Sequence, residues 1–338
     1  MTKLPRIVVL APLPLFVSFF DRPRQRRLSR IGGWSRLAGR RLTPAVLAAL
    51  GGADAVVTTW DSPRWFGEEL TTLAPRLRLI AHCGGEVKAR FARPLFDRLT
   101  IANAPGPMSP YVAELAVTFL LMAVRRVDDY RRALRRPSNA VYGALHTHGA
   151  GAETLRGRTV GLLGLGRIGQ ETARLLRPFG ARLLAHDPYV PARVASRLGV
   201  GLVPFGRLLR QAEHLVLAAG LTDETRGILG PRELARLRDG ATVVNVARGG
   251  LVELDAVVAE VRRGRLRYAV DVTDPLEPLP PRHPLRRLHG ATLTPHVGSA
   301  MVEVRQAMAD IVLDTLERFF AGRRVPNRVT PAMLARMT

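Results

Sequence analysis

The sequence predicts an α/β protein made of two domains, each with a parallel sheet. Its length of 338 residues is typical of two domains. Short apolar runs alternate with helix patterns through residues 1–103 and again from Thr159 onward. A long helix pattern over residues 303–320 follows the last strand pattern, and we expect this helix to return to the first domain. The predicted domains are residues 1–103 with 300–338, and an inserted domain of residues 104–299.

The first domain opens with RIVVLA at residues 6–11, a run typical of a buried parallel strand. Thr43 followed by Pro44 is a helix-start signal, because a threonine hydroxyl can cap a helix and proline suits its first position. Residues 16–41 show no clear pattern. The further predicted strands are 55–59, 77–81 and 100–102, and the predicted helices are 45–50, 68–73 and 91–99.

The inserted domain starts with Ser109 as a helix cap and one long apolar helix over residues 112–130. Residues 131–151 are basic and poorly patterned, which favours a connector. A strand, a glycine turn and a helix are then predicted over residues 159–179. The later predicted strands are 181–185, 215–218, 241–246, 268–272 and 291–294, and the later helices end or lie at 208–213, 231–237 and 255–263.

The glycine turn has the pattern G-x-G-x-x-G at Gly164, Gly166 and Gly169. In a dinucleotide site the first glycine permits a tight turn, the second lets the backbone approach a pyrophosphate, and the third lets the helix pack on the strand. Asp187 follows the next strand, where a carboxylate would bind the ribose hydroxyls of NAD and repel a 2′-phosphate. NAD is therefore favoured over NADP. The alternative for Asp187 is a turn residue before Pro188.

The net charge of +23 comes almost entirely from arginine, since Lys3 and Lys88 are the only lysines. The arginines are scattered and only 6% of residues are aromatic, so we expect no nucleic-acid partner. Cys83 is the only cysteine, which excludes a disulfide and a cysteine-based zinc site and fits a reducing cytoplasm. We expect no metal.

The N-terminal apolar run at residues 7–20 superficially resembles an export signal. Pro12 and Pro14 interrupt it, and no cleavage site of small residues follows. It is also too short to cross a bilayer. We therefore expect a first strand leading into a loop, no membrane partner, and a cytoplasmic protein.

Three polar side chains follow separate predicted strands, and parallel strand ends converge on one crevice. They are Arg248, Glu277 and His296. Hydride transfer to or from a 2-hydroxy acid needs a base, a cation for the carboxylate and a nicotinamide. His296 suits the base, Glu277 suits its partner, and Arg248 can grip a carboxylate with two hydrogen bonds. Each residue alone could instead be a turn or solvated residue.

Several motifs in order resemble the D-2-hydroxyacid dehydrogenase family, which includes glyoxylate/hydroxypyruvate reductases and phosphoglycerate dehydrogenases. The resemblance runs from about Leu70 to Phe320. It rests on NAPG at 103–106 with VAEL at 112–115, GLGRIG at 164–169, LTDETRG at 221–227, NVARGGLV at 245–252, DV at 271–272, EPLP at 277–280 and TPHVG at 294–298.

The resemblance implies a Rossmann NAD-binding domain inserted into a flavodoxin-like substrate domain, and usually a homodimer, for which the helix at 112–130 is a candidate interface. It implies that His296 is the acid/base, that Glu277 is its partner, and that Arg248 binds the carboxylate and carbonyl of a small 2-oxo acid. Gly84 and Gly85 lie where the family's loop offers backbone amides to that carboxylate. The implied cofactor-binding set is Gly164, Leu165, Gly166, Arg167, Ile168, Gly169, Asp187, Thr222, Thr225, Ala247, Asp271, His296 and Gly298, with Asp271 binding the nicotinamide carboxamide.

The sequence departs from the family at three places. Ala218 stands where a histidine is common, the loop from Cys83 to Lys88 lacks the usual aspartate-asparagine pair, and Leu276 is one extra residue between Asp271 and Glu277. The substrate therefore stays open. Two other activities in the wider superfamily are also open: an NAD(H)-sensing partner-binding protein like the C-terminal-binding corepressors, and formate oxidation, although Glu277 stands where formate enzymes tend to carry glutamine.

Overall fold

The computed structural model describes residues 4–135, 139, 142–149, 151, 153–335 and 337. The strands are β1 (Arg6–Leu10), β2 (Gly33–Leu37), β3 (Ala55–Thr58), β4 (Leu79–His82), β5 (Thr100–Asn103), β6 (Thr159–Leu163), β7 (Arg182–His186), β8 (Val200–Leu202), β9 (His214–Leu217), β10 (Thr242–Asn245), β11 (Arg267–Val270) and β12 (Ala291–Leu293). The helices are α1 (Leu13–Phe19), α2 (Arg22–Ile31), α3 (Pro44–Gly51), α4 (Leu70–Leu73), α5 (Leu95–Arg98), α6 (Ser109–Val124), α7 (Val127–Leu134), α8 (Tyr142–His148), α9 (Arg167–Leu176), α10 (Ala192–Arg197), α11 (Phe205–Gln211), α12 (Pro231–Leu234), α13 (Leu254–Arg262), α14 (Val302–Phe320) and α15 (Pro331–Leu334).

The chain divides into two compact units. The first unit runs to Met108 and resumes at Ala300, and the second unit is Ser109–Ser299. The sequence placed the first junction after residue 103 and the second after residue 299, so the first unit extends slightly further than expected.

The described residues of the first unit form a five-stranded parallel sheet in the order β2-β1-β3-β4-β5. This is the flavodoxin-like order, and it confirms the predicted fold class. The strands are short and the inner ones are buried, as in β3, whose four residues are all buried. Ion pairs from α2 to α14 join the two chain segments of this unit: Arg24 bonds to Asp310 at 2.6 Å and Arg27 to Glu317 at 2.7 Å.

The second unit holds a seven-stranded parallel sheet in the order β12-β11-β10-β9-β6-β7-β8. The chain starts in the middle with β6, builds one wing through β7 and β8, and then crosses to build the other wing from β9. That reversal is the Rossmann topology, in which ligands bind at the carboxyl ends of the central strands. Its core is aliphatic and includes Leu163, Leu215, Val243 and Val270, all nearly inaccessible to solvent.

The first unit corrects the expectation for residues 16–41, which are not irregular. They contain most of α1, all of α2 and the edge strand β2. Pro14 lies in the first turn of α1, where a missing N–H costs nothing, and Asp21 caps α2 by accepting from the amide of Arg24 at 3.1 Å. β2 is half exposed, so it carries no apolar run that would reveal it.

The single helix predicted over residues 112–130 is wrong, because it is two helices. α6 ends at Val124, and Arg126 adopts a left-handed conformation with φ of 55° before α7 starts. The predicted connector that follows contains the end of α7 and α8, while part of it lies outside the described residues. β8 and α10 were also not predicted, since both are short.

Residues 106–124 are the one described segment long and apolar enough to cross a bilayer. The core helix of a soluble protein meets the same criterion. Within the second unit, α6 packs against α9, β10 and β11. Its buried side chains include Ala113, Ala116 and Leu120, so a packed helix accounts for the apolar sequence.

Candidate active site

The glycine turn between β6 and α9 shows a distinct physical reason for each glycine. Gly164 has φ of 93°, and a Cβ there would lie 2.6 Å from the amide nitrogen of Ala219. A Cβ on Gly169 would lie 2.3 Å from the carbonyl oxygen of Gly164, so the helix needs glycine to pack on the strand. A Cβ on Gly166 would meet nothing within 4 Å. Gly166 caps α9 at a turn that is open to an approaching ligand.

The residues around Gly166 fit the pyrophosphate of a dinucleotide. The first helical residues, Arg167 and Ile168, place their amides at the positive end of α9. Asp187, at the end of β7, accepts from the amide of Leu165 at 2.7 Å through Oδ2, and from Tyr189 at 2.9 Å through Oδ1. Asp187 therefore holds both the glycine turn, through Leu165, and the turn that follows β7, through Tyr189. Oδ1 also accepts from the amide of Val190 at 3.1 Å, so Oδ2 is the oxygen that retains acceptor capacity for a hydroxyl donor.

The loop after β9 contains two of the predicted cofactor residues, Thr222 and Thr225. The hydroxyl of Thr225 accepts from the amide of Thr222 at 2.7 Å and donates to the carbonyl of Gly220 at 2.8 Å. Thr225 therefore organises this loop through its side chain. Thr222 keeps its own hydroxyl 3.2 Å from that of Thr225.

Arg248 lies just beyond β10, on a turn held by Asn245. The side chain of Asn245 is fully buried, donates to the carbonyl of Arg248 at 2.9 Å and accepts from the amide of Ala247 at 3.1 Å. A Cβ on Gly249 would lie 2.3 Å from the carbonyl carbon of Thr273, so this turn lies directly against the segment after β11. Sequence reasoning did not assign a role to Asn245, although an asparagine at a strand end is a known turn signal.

His296 and Glu277 are paired. The Nδ1 of His296 lies 2.9 Å from Oε1 of Glu277. Both side chains are partly exposed, at 51% and 42%. The hydrogen bond and the negative charge of Glu277 raise the pKa of His296, while partial burial and the charge of Arg248 act in the opposite direction. The structure thus brings together two residues that lie 19 positions apart in the sequence.

Asp271 holds the backbone that carries His296. It is 4% exposed, and its carboxylate accepts from the amide of Val297 at 2.8 Å, the amide of Gly298 at 2.9 Å and the hydroxyl of Thr294 at 2.5 Å. The amide of His296 donates to the carbonyl of Asp271 at 2.9 Å. Asp271 thus has a positioning role that the sequence did not reveal, beside the cofactor contact expected of it.

A groove of about 1080 Å³ lies beside this pair within the second unit. Its lining includes His296, Glu277 and Asp271, with Leu115 and Phe119 of α6 on another wall. Arg248 is not among its lining residues. Among the residues that the structure describes, no group of three histidine, cysteine or acidic side chains is placed to hold a metal ion.

The predicted substrate loop lies in the first unit, directly after β4. The amide of Gly84 donates to the carbonyl of His82 at 2.9 Å, so it is already used within the loop. The side chain of Asn103 donates to the carbonyl of Gly85 at 2.7 Å and fixes the loop. Cys83 is fully buried and burial raises the pKa of its thiol, which indicates a packing role.

Comparison with known proteins shows the family. The family model described as D-isomer specific 2-hydroxyacid dehydrogenase, NAD binding domain, matches residues 117–298. The glyoxylate reductase of Korarchaeum cryptofilum is 33% identical over 282 residues, which is 82% of each chain. The chain belongs to the D-isomer-specific 2-hydroxyacid dehydrogenase family. As a member of that family it is an NAD-dependent 2-hydroxyacid dehydrogenase, and its second unit contains the NAD-binding domain.

Two further comparisons place this dehydrogenase among its relatives. The D-3-phosphoglycerate dehydrogenase of Methanocaldococcus jannaschii is 33% identical over 76% of this chain, but the match spans 48% of that relative. The solved structure of the TT0316 protein from Thermus thermophilus superimposes with a TM-score of 0.80 at 31% identity, covering 96% of this chain and 100% of that chain. The dehydrogenase therefore shares its fold with a solved structure over nearly its whole length. Its match to the phosphoglycerate dehydrogenase spans only about half of that relative's length.

Proposed function

We propose that this dehydrogenase reduces small 2-oxo acids of the glyoxylate or hydroxypyruvate type with NADH, and oxidises the corresponding D-2-hydroxy acids in reverse. The observation that carries the proposal is the 2.9 Å pair of His296 and Glu277. Reduction of a carbonyl to an alcohol needs a proton donor at the oxygen, and an imidazole whose pKa is raised by a carboxylate keeps its transferable proton to higher pH than a free imidazole.

The pair defines which nitrogen of His296 exchanges the proton. Ionised Glu277 accepts from Nδ1–H, so Nδ1 keeps its proton in both states. Nε2 is then the atom that gives its proton to the substrate oxygen during reduction and takes it back during oxidation. The hydrogen bond and the negative charge of Glu277 stabilise the imidazolium of His296, and for the same reason they raise its pKa.

Arg248 has the complementary role of binding the substrate carboxylate and stabilising charge on the carbonyl oxygen. A guanidinium suits this role because its planar fork makes two parallel hydrogen bonds to a carboxylate. Asn245 fixes the turn that presents it, through two hydrogen bonds to the backbone of residues 247 and 248. In the first unit, Gly85 is the better amide donor of the predicted pair, because the amide of Gly84 is bonded to His82.

The proposed cofactor residues would bind three parts of NAD: the pyrophosphate, the ribose hydroxyls and the nicotinamide. The turn from Gly164 to Gly169 suits the pyrophosphate and Asp187 the ribose hydroxyls, while Thr222, Thr225, Ala247, Asp271 and Gly298 complete the nicotinamide side. When bound there, the nicotinamide would supply or accept the hydride at C2 of the acid. Because Asp271 accepts three hydrogen bonds and a carboxylate has about four acceptor positions, one position would remain for the carboxamide.

The test is NADH oxidation with glyoxylate, hydroxypyruvate, pyruvate and phenylpyruvate in parallel, repeated with NADPH. We expect turnover of at least one acid with NADH, and a loss of roughly 10²–10⁴ in turnover for His296→Asn, the usual size of general acid–base catalysis. Near-wild-type turnover in that variant would overturn the role of His296. Tight NADH binding without turnover of any acid would favour the NAD-sensing alternative.

We also propose that the dehydrogenase is a cytoplasmic homodimer formed through its second unit, with α6 as a candidate interface. Analytical ultracentrifugation of the purified protein checks the oligomeric state. A monomer at micromolar concentration would contradict it.

A further inference from the structure

Glu277 lies on a loop of the second unit that side chains hold in place. Residues 273–279, the Glu277 loop, contain the extra residue Leu276. Among the residues that the structure describes, none in this loop donates or accepts a backbone–backbone hydrogen bond. Pro275 and Pro278 have no amide hydrogen to donate. The position of Glu277 therefore depends on a few side-chain contacts.

Thr273 fixes the chain just before Glu277. Its hydroxyl donates to the carbonyl of Leu276 at 2.6 Å. That carbonyl belongs to the peptide that joins Leu276 to Glu277, so the hydrogen bond orients the backbone from which the glutamate side chain projects. Leu276 is itself 49% exposed, so its side chain adds little packing to hold the loop.

The other hydrogen bonds of the Glu277 loop lie at Glu277 or after it. Arg286 donates to the carbonyl of Leu279 at 2.6 Å, and Glu277 meets His296 at 2.9 Å. Within the described part of the chain, no further hydrogen bond reaches residues 273–279. Without the bond from Thr273, the approach to Glu277 would therefore have no hydrogen bond to hold it.

Thr273 itself has a rigid backbone. It follows two buried residues, Asp271 and Val272, which are 4% and 3% exposed. A Cβ on Gly249 would lie 2.3 Å from the carbonyl carbon of Thr273 and 2.4 Å from the amide nitrogen of Asp274. The peptide between Thr273 and Asp274 is thus packed against the turn after β10. The hydroxyl of Thr273 therefore starts from a fixed position, as a group that orients another residue requires.

We propose that Thr273 is a positioning residue for proton transfer, which accommodates the extra residue Leu276 and holds Glu277 within reach of His296. This role rests on the proposed function, because it serves the reduction that the pair of Glu277 and His296 would catalyse. Thr273 acts through Glu277. A loop without the hydroxyl bond has more conformations, and the carboxylate leaves Nδ1 of His296 in many of them.

Thr273→Val tests the role, because valine has the same branched shape and lacks the hydroxyl. The charged groups that act on His296 are Glu277 and Asp271, which raise its pKa, and Arg248, which lowers it. A weaker contact with Glu277 returns this pKa toward its ordinary value, so the loss of reductase kcat with rising pH should begin at lower pH than in wild type. We expect kcat above neutral pH to fall roughly 2- to 10-fold, the size of one hydrogen bond, while KM for the acid and NADH affinity stay within about twofold.

Two matched variants show whether the hydroxyl is responsible. Thr273→Ser keeps the hydroxyl and should keep kcat and its pH profile within about twofold of wild type. Thr292→Val removes a hydroxyl from the same groove, where it donates to Asp128 at 2.9 Å, and should leave the pH profile unchanged. Equal losses in Thr273→Ser and Thr273→Val, or the same shift in Thr292→Val, would overturn the positioning role. Thr273→Ala also lacks the hydroxyl and is the second variant for each measurement if Thr273→Val does not fold.

The failure of this role is distinguishable from the failure of the proposed function. A wild-type pH profile in Thr273→Val, with an acid still reduced, would overturn the role of Thr273 and leave the proposed function intact. If the wild-type protein reduces no acid, NMR titration of the His296 imidazole decides, with its signal assigned by its absence in His296→Asn. The pKa of His296 should be lower in Thr273→Val than in wild type, and equal pKa values would overturn the role.

Discussion

Two glycines of the same turn separate a structural requirement from a binding requirement. Changing Gly169 to alanine places a Cβ 2.3 Å from the carbonyl oxygen of Gly164. A backbone atom cannot move aside cheaply, so the cost should be near the upper end of the roughly 1–3 kcal/mol seen for overpacking. For a domain of this size, about 3 kcal/mol corresponds to a fall of roughly 6–12 °C in Tm.

Gly166→Ala should behave in the opposite way. Gly166 has φ of −69°, which suits any residue, and its Cβ would meet nothing within 4 Å. Stability should stay within about 1 kcal/mol of wild type. The added methyl group would keep the pyrophosphate from the helix N-terminus, and loss of one hydrogen bond to a charged group should weaken NADH binding roughly tenfold or more.

The assays are thermal unfolding by circular dichroism and NADH titration by fluorescence, applied to both variants. Wild-type NADH affinity in Gly166→Ala would refute the assignment of this turn to the pyrophosphate. An unchanged Tm in Gly169→Ala would refute the argument that helix α9 packs too closely on β6 to admit a side chain.

Three further predictions concern charge and protonation. Glu277→Gln should return the pKa of His296 toward its ordinary value, so the loss of reductase kcat/KM with rising pH should begin at lower pH than in wild type; a shift to higher pH would contradict the pairing. Arg248→Lys should lower kcat/KM roughly 10- to 100-fold with NADH affinity unchanged, and full activity would exclude the two-bond role. His214 is 3% exposed and burial lowers its pKa to about 4, so the unfolded chain takes up the proton first as pH falls below about 6.5. Stability should then fall by about 3 kcal/mol between pH 7 and pH 4, and urea unfolding of His214→Phe should show less of this loss; an identical pH dependence would contradict it.

The fold was predictable because its signals are local. Buried parallel strands carry short apolar runs, as in β1 and β3. The turn that joins β6 to α9 is marked by the G-x-G-x-x-G pattern at Gly164, Gly166 and Gly169. Elements without such a signal were not predicted. The edge strand β2 is half exposed, and β8 is three residues long.

The break between α6 and α7 was hidden for a different reason. Residues 112–130 carry a continuous helix pattern, and nothing in it marks Arg126 as left-handed. The acidic start of α7 is held by the sheet: Asp129 pairs with Arg267 at 2.5 Å and with His289 at 2.8 Å, and Asp128 accepts from Thr292 at 2.9 Å. Contacts with residues that lie 138 and 164 positions away redirect the chain, and local propensity does not contain them.

The candidate site also has one part that the sequence predicts and one part that it does not. The residue types that can exchange a proton or bind a carboxylate are visible in the sequence, because few side chains do either. The residues that orient them are less visible. His296 adopts a left-handed φ of 56°, which costs an L-residue roughly 1–2 kcal/mol. The three hydrogen bonds accepted by the buried carboxylate of Asp271 hold the residues on both sides of this turn. Asp271, which the sequence predicts to bind the cofactor, therefore also keeps His296 in the conformation that reaches Glu277. The residue proposed to bind the cofactor thus supports the residue proposed to transfer the proton.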